Sequence, residues 1–395
     1  MAKAHDTGGG LLRKRSDDQH ARVAYVELFF DLVFVFAITQ ISHALLADMS
    51  PLGFARAAFM LGAVWWIWIY TSWVTNWLDP ETTPVRILLF GLMFLGLVMS
   101  STLPDAFGAN GLIFAGAYVT AQIVRSVFTT VSLRGASPAN YRNFQRITIW
   151  LCCSGLFWIA GGLSEGPLRF VLWLVALGIE YAGPAAGFRV FGLGRSETSD
   201  WDVEGGHLAE RCALFIIIAL GESVLMTGAT AAKLPFDAVN LLAFVNSFLS
   251  SVAMWWIYFH VGAERGSHII AHSDDPGRIA RIAYTYMHIL LVAGIILVAV
   301  GDELVLAHPL GHTGPGTAIA VVAGPACYLV GNLLFKRVTG GWYPLSHLIG
   351  LGLIAVLAFC SNLVPPLGFS LAATAILILV AAWEAFSLRE VAEEA

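Results

Sequence analysis

Charge is what this 395-residue chain has least of: Asp, Glu, Lys and Arg make up 12% of it, about half the share usual in a soluble globular protein. A chain of this size in water must cover its outside with polar groups, so a soluble enzyme is excluded. No run of Lys and Arg is interleaved with aromatic residues, and the formal net charge is -5. A phosphate backbone would find nothing to bind, and nucleic acid is not expected as a partner. Cysteine is scarce as well. The five present, Cys152, Cys153, Cys212, Cys327 and Cys360, lie in apolar stretches without a CxxC pair, which leaves neither a disulfide framework nor a structural metal to expect. GxxxxGKS, HExxH and GxGxxG strings are absent too, and the one GxSxG string, Gly162–Gly166, falls between two apolar runs with no strand before it to form a nucleophile elbow. Nothing points to an ATPase, a zinc protease or a hydrolase, so no catalytic residue, metal or cofactor is assigned.

What the chain has in abundance is apolar surface. Hydrophobic residues make up 57% of it, with 13 Trp and 25 Phe, and the mean hydropathy is +0.73. That surplus must face lipid, and the lipid bilayer is the first partner. A helix needs about 20 mostly apolar residues to cross the hydrocarbon layer, whereas strands would have to alternate faces in a closed barrel. The runs here are continuous, and they predict an all-α polytopic membrane protein. Twelve spans are expected, at about 25–46, 53–77, 85–103, 111–133, 144–163, 167–188, 208–229, 236–260, 279–300, 316–335, 342–363 and 366–388. Pro and Gly punctuate the connections, as at Ser50-Pro51, Asp79-Pro80, Leu234-Pro235, Gly340-Gly341 and Pro365-Pro366.

Lys and Arg collect on the cytoplasmic side of membrane proteins. With twelve spans, 18 of the 22 fall on the side of the termini, while Arg56, Arg169 and Lys233 fall on the other and Arg125 lies within a span. Both termini are therefore expected in the cytoplasm. The polar residues 1–24 read as a flexible cytosolic tail; the apolar run after them has no small-residue cleavage site.

The halves echo one another. Glu27 corresponds to Glu210, Trp65-Trp66-Ile67 to Trp255-Trp256-Ile257, Val85-Arg86-Ile87 to Ala280-Arg281-Ile282, and Pro167-Leu168-Arg169-Phe170 to Pro366-Leu367-Gly368-Phe369, at offsets of 183, 190, 195 and 199. Offsets that rise in order suit a duplication with small insertions. The expected organisation is a parallel 6+6 tandem repeat: residues 25–190, a cytosolic linker over 191–207, residues 208–388, and a tail over 389–395. A pathway between two such halves is geometrically natural.

Ionisable groups at lipid depth are expensive, so each is a candidate for function. Glu27 and Asp31 share one face near the start of the first span. They suit either a cation-gathering mouth or an ion-paired helix start with Arg125, which lies at similar depth on the fourth span. His207, Glu210 and Arg211 open the seventh span. Glu222 sits about 14 residues further in, too deep to snorkel easily; it holds a proton, pairs, or faces water. Glu180 in the sixth span precedes Pro184, where the helix can break. His288 adds a group that titrates near neutrality, and His43, His260 and His347 rank below it as packing residues. Asp302-Glu303 falls at a span end, where solvation is expected. The Trp65–Trp73 aromatic run is read as packing.

The string Val26-Glu27-Leu28-Phe29-Phe30-Asp31-Leu32-Val33-Phe34-Val35-Phe36-Ala37, with His207-x-x-Glu210-Arg211 and Leu220-Gly221-Glu222-Ser223, resembles the bacterial low temperature requirement A family over nearly the whole chain. That resemblance implies a multi-pass membrane fold and a link to growth in the cold, and no particular substrate. Glu27-x-Phe29-x-Asp31-x-Val33-Phe34 also looks like the first helix of the endolysosomal and bacterial potassium channel family, whose signature is RxxxFSD and whose members are built of six-helix units. Here Phe30 replaces the signature Ser, and Arg22 lies nine residues before Asp31 rather than six.

Two functions follow as expectations. In the first the chain is a transporter or channel for a cation or proton. Glu222 holds the ion midway, Glu27 and Asp31 gather charge, Arg125 or Arg211 sets their protonation, and Glu180, Glu210 and His288 lie along the route. The second is a scaffold or lipid-handling protein for cold adaptation, without ion flux, in which the buried charges join helices. A homo-oligomer is compatible with either.

Overall fold

The computed structural model describes residues 10–13, 22–201, 203–260 and 262–387, of which Ser199 and Asp200 are described for their backbone alone. Among the described residues there is no strand, only isolated bridges between Leu12 and Leu78 and between Val190 and Gly194. The helices are α1 (Tyr25–Ala47), α2 (Pro51–Trp77), α3 (Thr83–Thr102), α4 (Gly111–Leu133), α5 (Pro138–Leu163), α6 (Gly166–Ala185), α7 (Gly205–Ala231), α8 (Ala238–Phe259) and the short α9 (Gly262–Ala271). Then α10 (Pro276–Ile279) passes through a π-helical stretch, Ala280–Met287, into α11 (His288–Ala307), followed by α12 (Pro315–Gly340), α13 (Leu345–Ala358) and α14 (Pro366–Ser387).

Eleven of these stretches are long and apolar enough to cross a membrane, counting Pro276–Ala307 as one, and α13 is a shorter apolar helix of 14 residues. The protein is a polytopic, all-helical membrane protein. Phe94, Leu156, Leu225 and Phe386 are among its exposed apolar side chains, the lipid-facing surface that the composition requires. The expected boundaries differ at several places, among them the starts of α5 and α9 and the end of α11. α5 begins at Pro138, six residues ahead of the apolar run, because Pro at the first turn starts a helix whatever the polarity of Asn140, Arg142 and Asn143. α9 occupies what reads as a loop, since charged residues break its apolar pattern.

Local chemistry explains the ends. Asp237 accepts from the amides of Val239 and Asn240, at 3.0 and 2.9 Å, and so caps α8. Gly341 ends α12 in the left-handed region at φ 79°, which glycine reaches without strain. Between α1 and α2, Asp48 accepts from the Ser50 amide at 3.1 Å. The Ser50 hydroxyl and amide hold the Asp48 carboxyl below its ordinary range.

The chain forms two compact units. The first comprises the described parts of residues 1–37, 63–211 and 274–278. An aromatic core lies at its centre: the Trp158 ring is tilted against those of Tyr118 and Trp173, with centroids 4.3 and 5.5 Å away. Trp65, Trp66 and Trp68 are fully buried, as the packing reading of the Trp-rich run requires. Arg169, near the start of α6, donates to the carbonyls of Ser164 at 2.9 Å and Ala106 at 3.1 Å, tying down the connection before α4.

The second unit comprises the described parts of residues 38–62, 212–273 and 279–395. α11 and α12 meet through glycines. A Cβ on Gly294 would lie 2.6 Å from the Tyr328 amide nitrogen, and one on Gly324 would lie 2.7 Å from that of Val298. Such close backbone approach through small residues is how helices associate where lipid removes the hydrophobic drive. The π-helical stretch just before α11 widens the turn so that His288 reaches back to the Ala283 carbonyl, 2.8 Å from its Nδ1.

Candidate functional site

In the first unit, one guanidinium joins the two carboxylates that the sequence singles out. Arg211 of α7 donates from Nη1 to Glu27 Oε1 at 2.8 Å and from Nη2 to Asp31 Oδ1 at 2.6 Å. The four-residue spacing stacks Glu27 and Asp31 one turn apart on α1, and the planar fork of Arg spans them. Glu27 also accepts from Arg13 Nη2 and the Ala24 amide, each at 2.8 Å, and His207 Nε2 lies 3.0 Å from it. Trp68 Nε1 donates to Asp31 Oδ1 at 2.7 Å. Arg13 and Arg211 balance Glu27 and Asp31, and three of these four side chains are completely buried.

Two expectations are corrected here. The cation facing Asp31 is Arg211, not Arg125. Within the segment expected to be a flexible tail, residues 10–13 are held in place, since the Arg13 amide donates to the Trp77 carbonyl at 2.9 Å and Arg13 Nε to that of Thr75 at 2.7 Å. The rest of that tail, residues 1–9 and 14–21, lies outside the described residues, as do residues 389–395. Glu210 is exposed although Arg211 beside it is buried, because successive helix residues point about 100° apart.

Arg125 belongs to a second cluster of the same unit. Its guanidinium donates from Nη1 to the Ile67 carbonyl at 3.0 Å and to Thr71 Oγ1 at 3.1 Å, and from Nη2 to Gln122 Oε1. The Gln122 amide passes the polarity on, donating from Nε2 to Glu180 Oε2 at 2.8 Å. Tyr118 adds a hydrogen bond to Glu180 at 2.6 Å, Ser154 one at 2.8 Å and Trp158 one at 2.9 Å. Four neutral donors from α4 and α5 thus surround one carboxyl group on α6, which is how a buried acid is satisfied without a direct ion pair.

The second unit also holds buried acids that no cation meets among the described residues. Glu222 of α7 is 3% exposed, and neither carboxyl oxygen has a hydrogen bond of good geometry among the described residues. Thr39 of α1 is the polar side chain beside it, and Glu303 lies within electrostatic reach. The hydroxyl of Ser223 is likewise buried without a partner. His288 is fully buried, with the Tyr258 hydroxyl 2.7 Å from Nε2. The Ala283 carbonyl can only accept, so Nδ1 carries the proton and Nε2 accepts from Tyr258. That closed pair makes His288 a satisfied packing residue in this arrangement. Of the other histidines, His43 is exposed and His260 half-buried, while His347 Nε2 lies 3.1 Å from Asn332 Oδ1.

Sequence reasoning missed three participants. Lys336, counted among the cytoplasmic-side cations, is buried and donates to Glu384 of α14 at 2.6 Å. Trp68, hidden in an aromatic run, supplies a specific donor to Asp31. Asp302, expected to be solvated, is 4% exposed; the span continues to Ala307, so the residue sits inside the helix rather than at its end.

Comparison with known proteins places these features in one setting. The model of the bacterial low temperature requirement A protein matches residues 22–382. The uncharacterized protein RA0937 of Rhizobium meliloti (strain 1021) is 43% identical over 386 residues, covering 97% of this chain and 94% of that protein.

Proposed function

We propose, from the premise that the chain belongs to the bacterial low temperature requirement A family, that it moves a cation or proton across the cytoplasmic membrane, with Glu222 as the group that holds the ion. One observation carries this reading: a carboxyl group buried deep in a membrane-spanning helix, with no cation and no well-formed hydrogen bond. Leaving such a group unsatisfied is costly at lipid depth. A bound cation or proton removes that cost when present and restores it on leaving, the condition for reversible occupancy. Thr39 and Ser223 offer hydroxyls beside it, and Glu303 adds negative charge within reach of the same place.

Glu27, Asp31 and Arg211 take a different part in this proposal from that suggested by sequence alone. Their closed pairing fixes α1 and α7 beside each other, and Trp68 and Arg13 complete it. Glu180 holds α4, α5 and α6 together through neutral donors, Arg125 ties α4 to α2, and Lys336 with Glu384 links α12 and α14. A fourth-to-sixth helix polar link in each half supports the parallel 6+6 duplication. The distribution of Lys and Arg supports both termini in the cytoplasm.

The second reading, a scaffold without flux, is favoured by those same satisfied clusters. The family's name supplies a phenotype that separates the two. Complementation of growth at low temperature by wild type and by Glu222→Gln, at matched abundance in the membrane, tests the first reading. It predicts normal insertion and lost complementation for the variant. Full complementation by Glu222→Gln assigns the protein to the second.

A further inference from the structure

Another acid of the second unit stands beside a small cavity. Asp302 of α11, Ser250 of α8, and Ser370 and Thr374 of α14 line a cavity of about 10 Å³. That is room for one water-sized particle. Asp302 Oδ2 is buried and has no hydrogen-bond partner among the described residues, and the hydroxyl of Ser247 adjoins the same carboxyl group. Asn246 donates from Nδ2 to Ser370 Oγ at 2.8 Å, which fixes the orientation of that hydroxyl and leaves Asn246 Oδ1 without a partner. Pro325, inside α12, also lines the cavity. Having no N–H, it deprives the Val321 carbonyl of its usual helical donor, and Val321 is a lining residue too.

We infer that this cavity is a binding site for one small, dehydrated monovalent cation, sodium in kind. The donor set is all oxygen: one carboxylate, three hydroxyls and a carbonyl released by a proline, the hard ligands that hard cations take. No Cys or His is among the lining residues, which disfavours zinc and copper. A single carboxylate balances a single positive charge and leaves a divalent ion in excess at lipid depth. The space admits one particle without its hydration shell. Four helices meet there from distant parts of the chain, so an occupied site would lock α8, α11, α12 and α14 together. This inference does not rest on Glu222, which faces different groups.

The test uses purified full-length protein in lipid nanodiscs, with thermal unfolding followed in sodium chloride and in choline chloride of equal ionic strength, beside equilibrium binding of radioactive sodium. The expected result is saturable stabilisation by sodium alone and one sodium bound per chain. Asp302→Asn should abolish both, and Thr374→Val should weaken sodium binding about 10-fold, as loss of one member of a site's shell does. Absence of saturable sodium binding by the wild type overturns the inference and leaves the cavity to a water beside a protonated Asp302. Sodium binding that survives Asp302→Asn overturns it as well. If Asp302→Asn does not fold, wild-type binding and Thr374→Val decide the matter alone.

Discussion

Arg211 illustrates how much rides on one side chain at lipid depth. Its two terminal nitrogens meet Glu27 and Asp31, so removing it leaves Glu27 with Arg13 alone and takes from Asp31 the cation that faces it. Breaking one partner of a buried pair costs about 3–5 kcal/mol. Arg211→Met should therefore reduce folded protein in the membrane severely, read by fluorescence-detected size exclusion. Adding Asp31→Asn should recover part of the loss, because the pair is coupled. Glu222→Gln should behave in the opposite way, with a melting temperature equal to or above wild type, since no cation loses a partner and an amide carries no charge. A melting temperature as low as that of Arg211→Met would place Glu222 among the structural charges. Both acids were legible in the sequence, because a carboxylate in an apolar run stands out. Their partners were not: Arg125 and Arg211 lie at comparable depths, and only the packing of α7 on α1 chooses between them. Asp302 was misjudged because two acidic residues near a span end look alike until the helix is seen to continue past them.

At the scale of elements, α11 and α12 are joined by backbone approach at Gly294 and Gly324 rather than by side-chain bulk. An added methyl group at Gly294 would fall on the backbone of Tyr328, which cannot swing aside. Gly294→Ala should lower stability by about 1–3 kcal/mol, the range for overpacking a close interface, measured by unfolding in detergent. Gly352→Ala serves as the control, since its added Cβ would meet nothing within 4 Å, and it should be neutral. Helix existence and order were readable from apolar runs and Pro and Gly punctuation. The π-helical stretch before His288 and the short α9 were not, because both depend on tertiary contacts rather than on residue pattern. The polar pocket around Asp302 also escaped, since its residues, at positions 247, 250, 302, 370 and 374, are spread over more than a hundred residues of sequence and meet only in the fold.

The whole molecule is a membrane protein of the low temperature requirement A family whose buried charges fall into two kinds. Those of the first unit are paired or surrounded by donors; in the second unit both carboxyl oxygens of Glu222 and Oδ2 of Asp302 are buried without a hydrogen-bond partner among the described residues. The account ties function to that difference. It also predicts topology: reporter fusions after residues 134 and 195 should report the cytoplasm and one after residue 165 the opposite side, and a reversed pattern would overturn the orientation. The most direct test of the central claim is ion flux through the purified protein in liposomes, followed with a pH-sensitive dye under proton, sodium or potassium gradients. Wild type should carry flux that Glu222→Gln abolishes while remaining folded and inserted. Absence of flux from correctly inserted wild type, or equal flux from the variant, would contradict it.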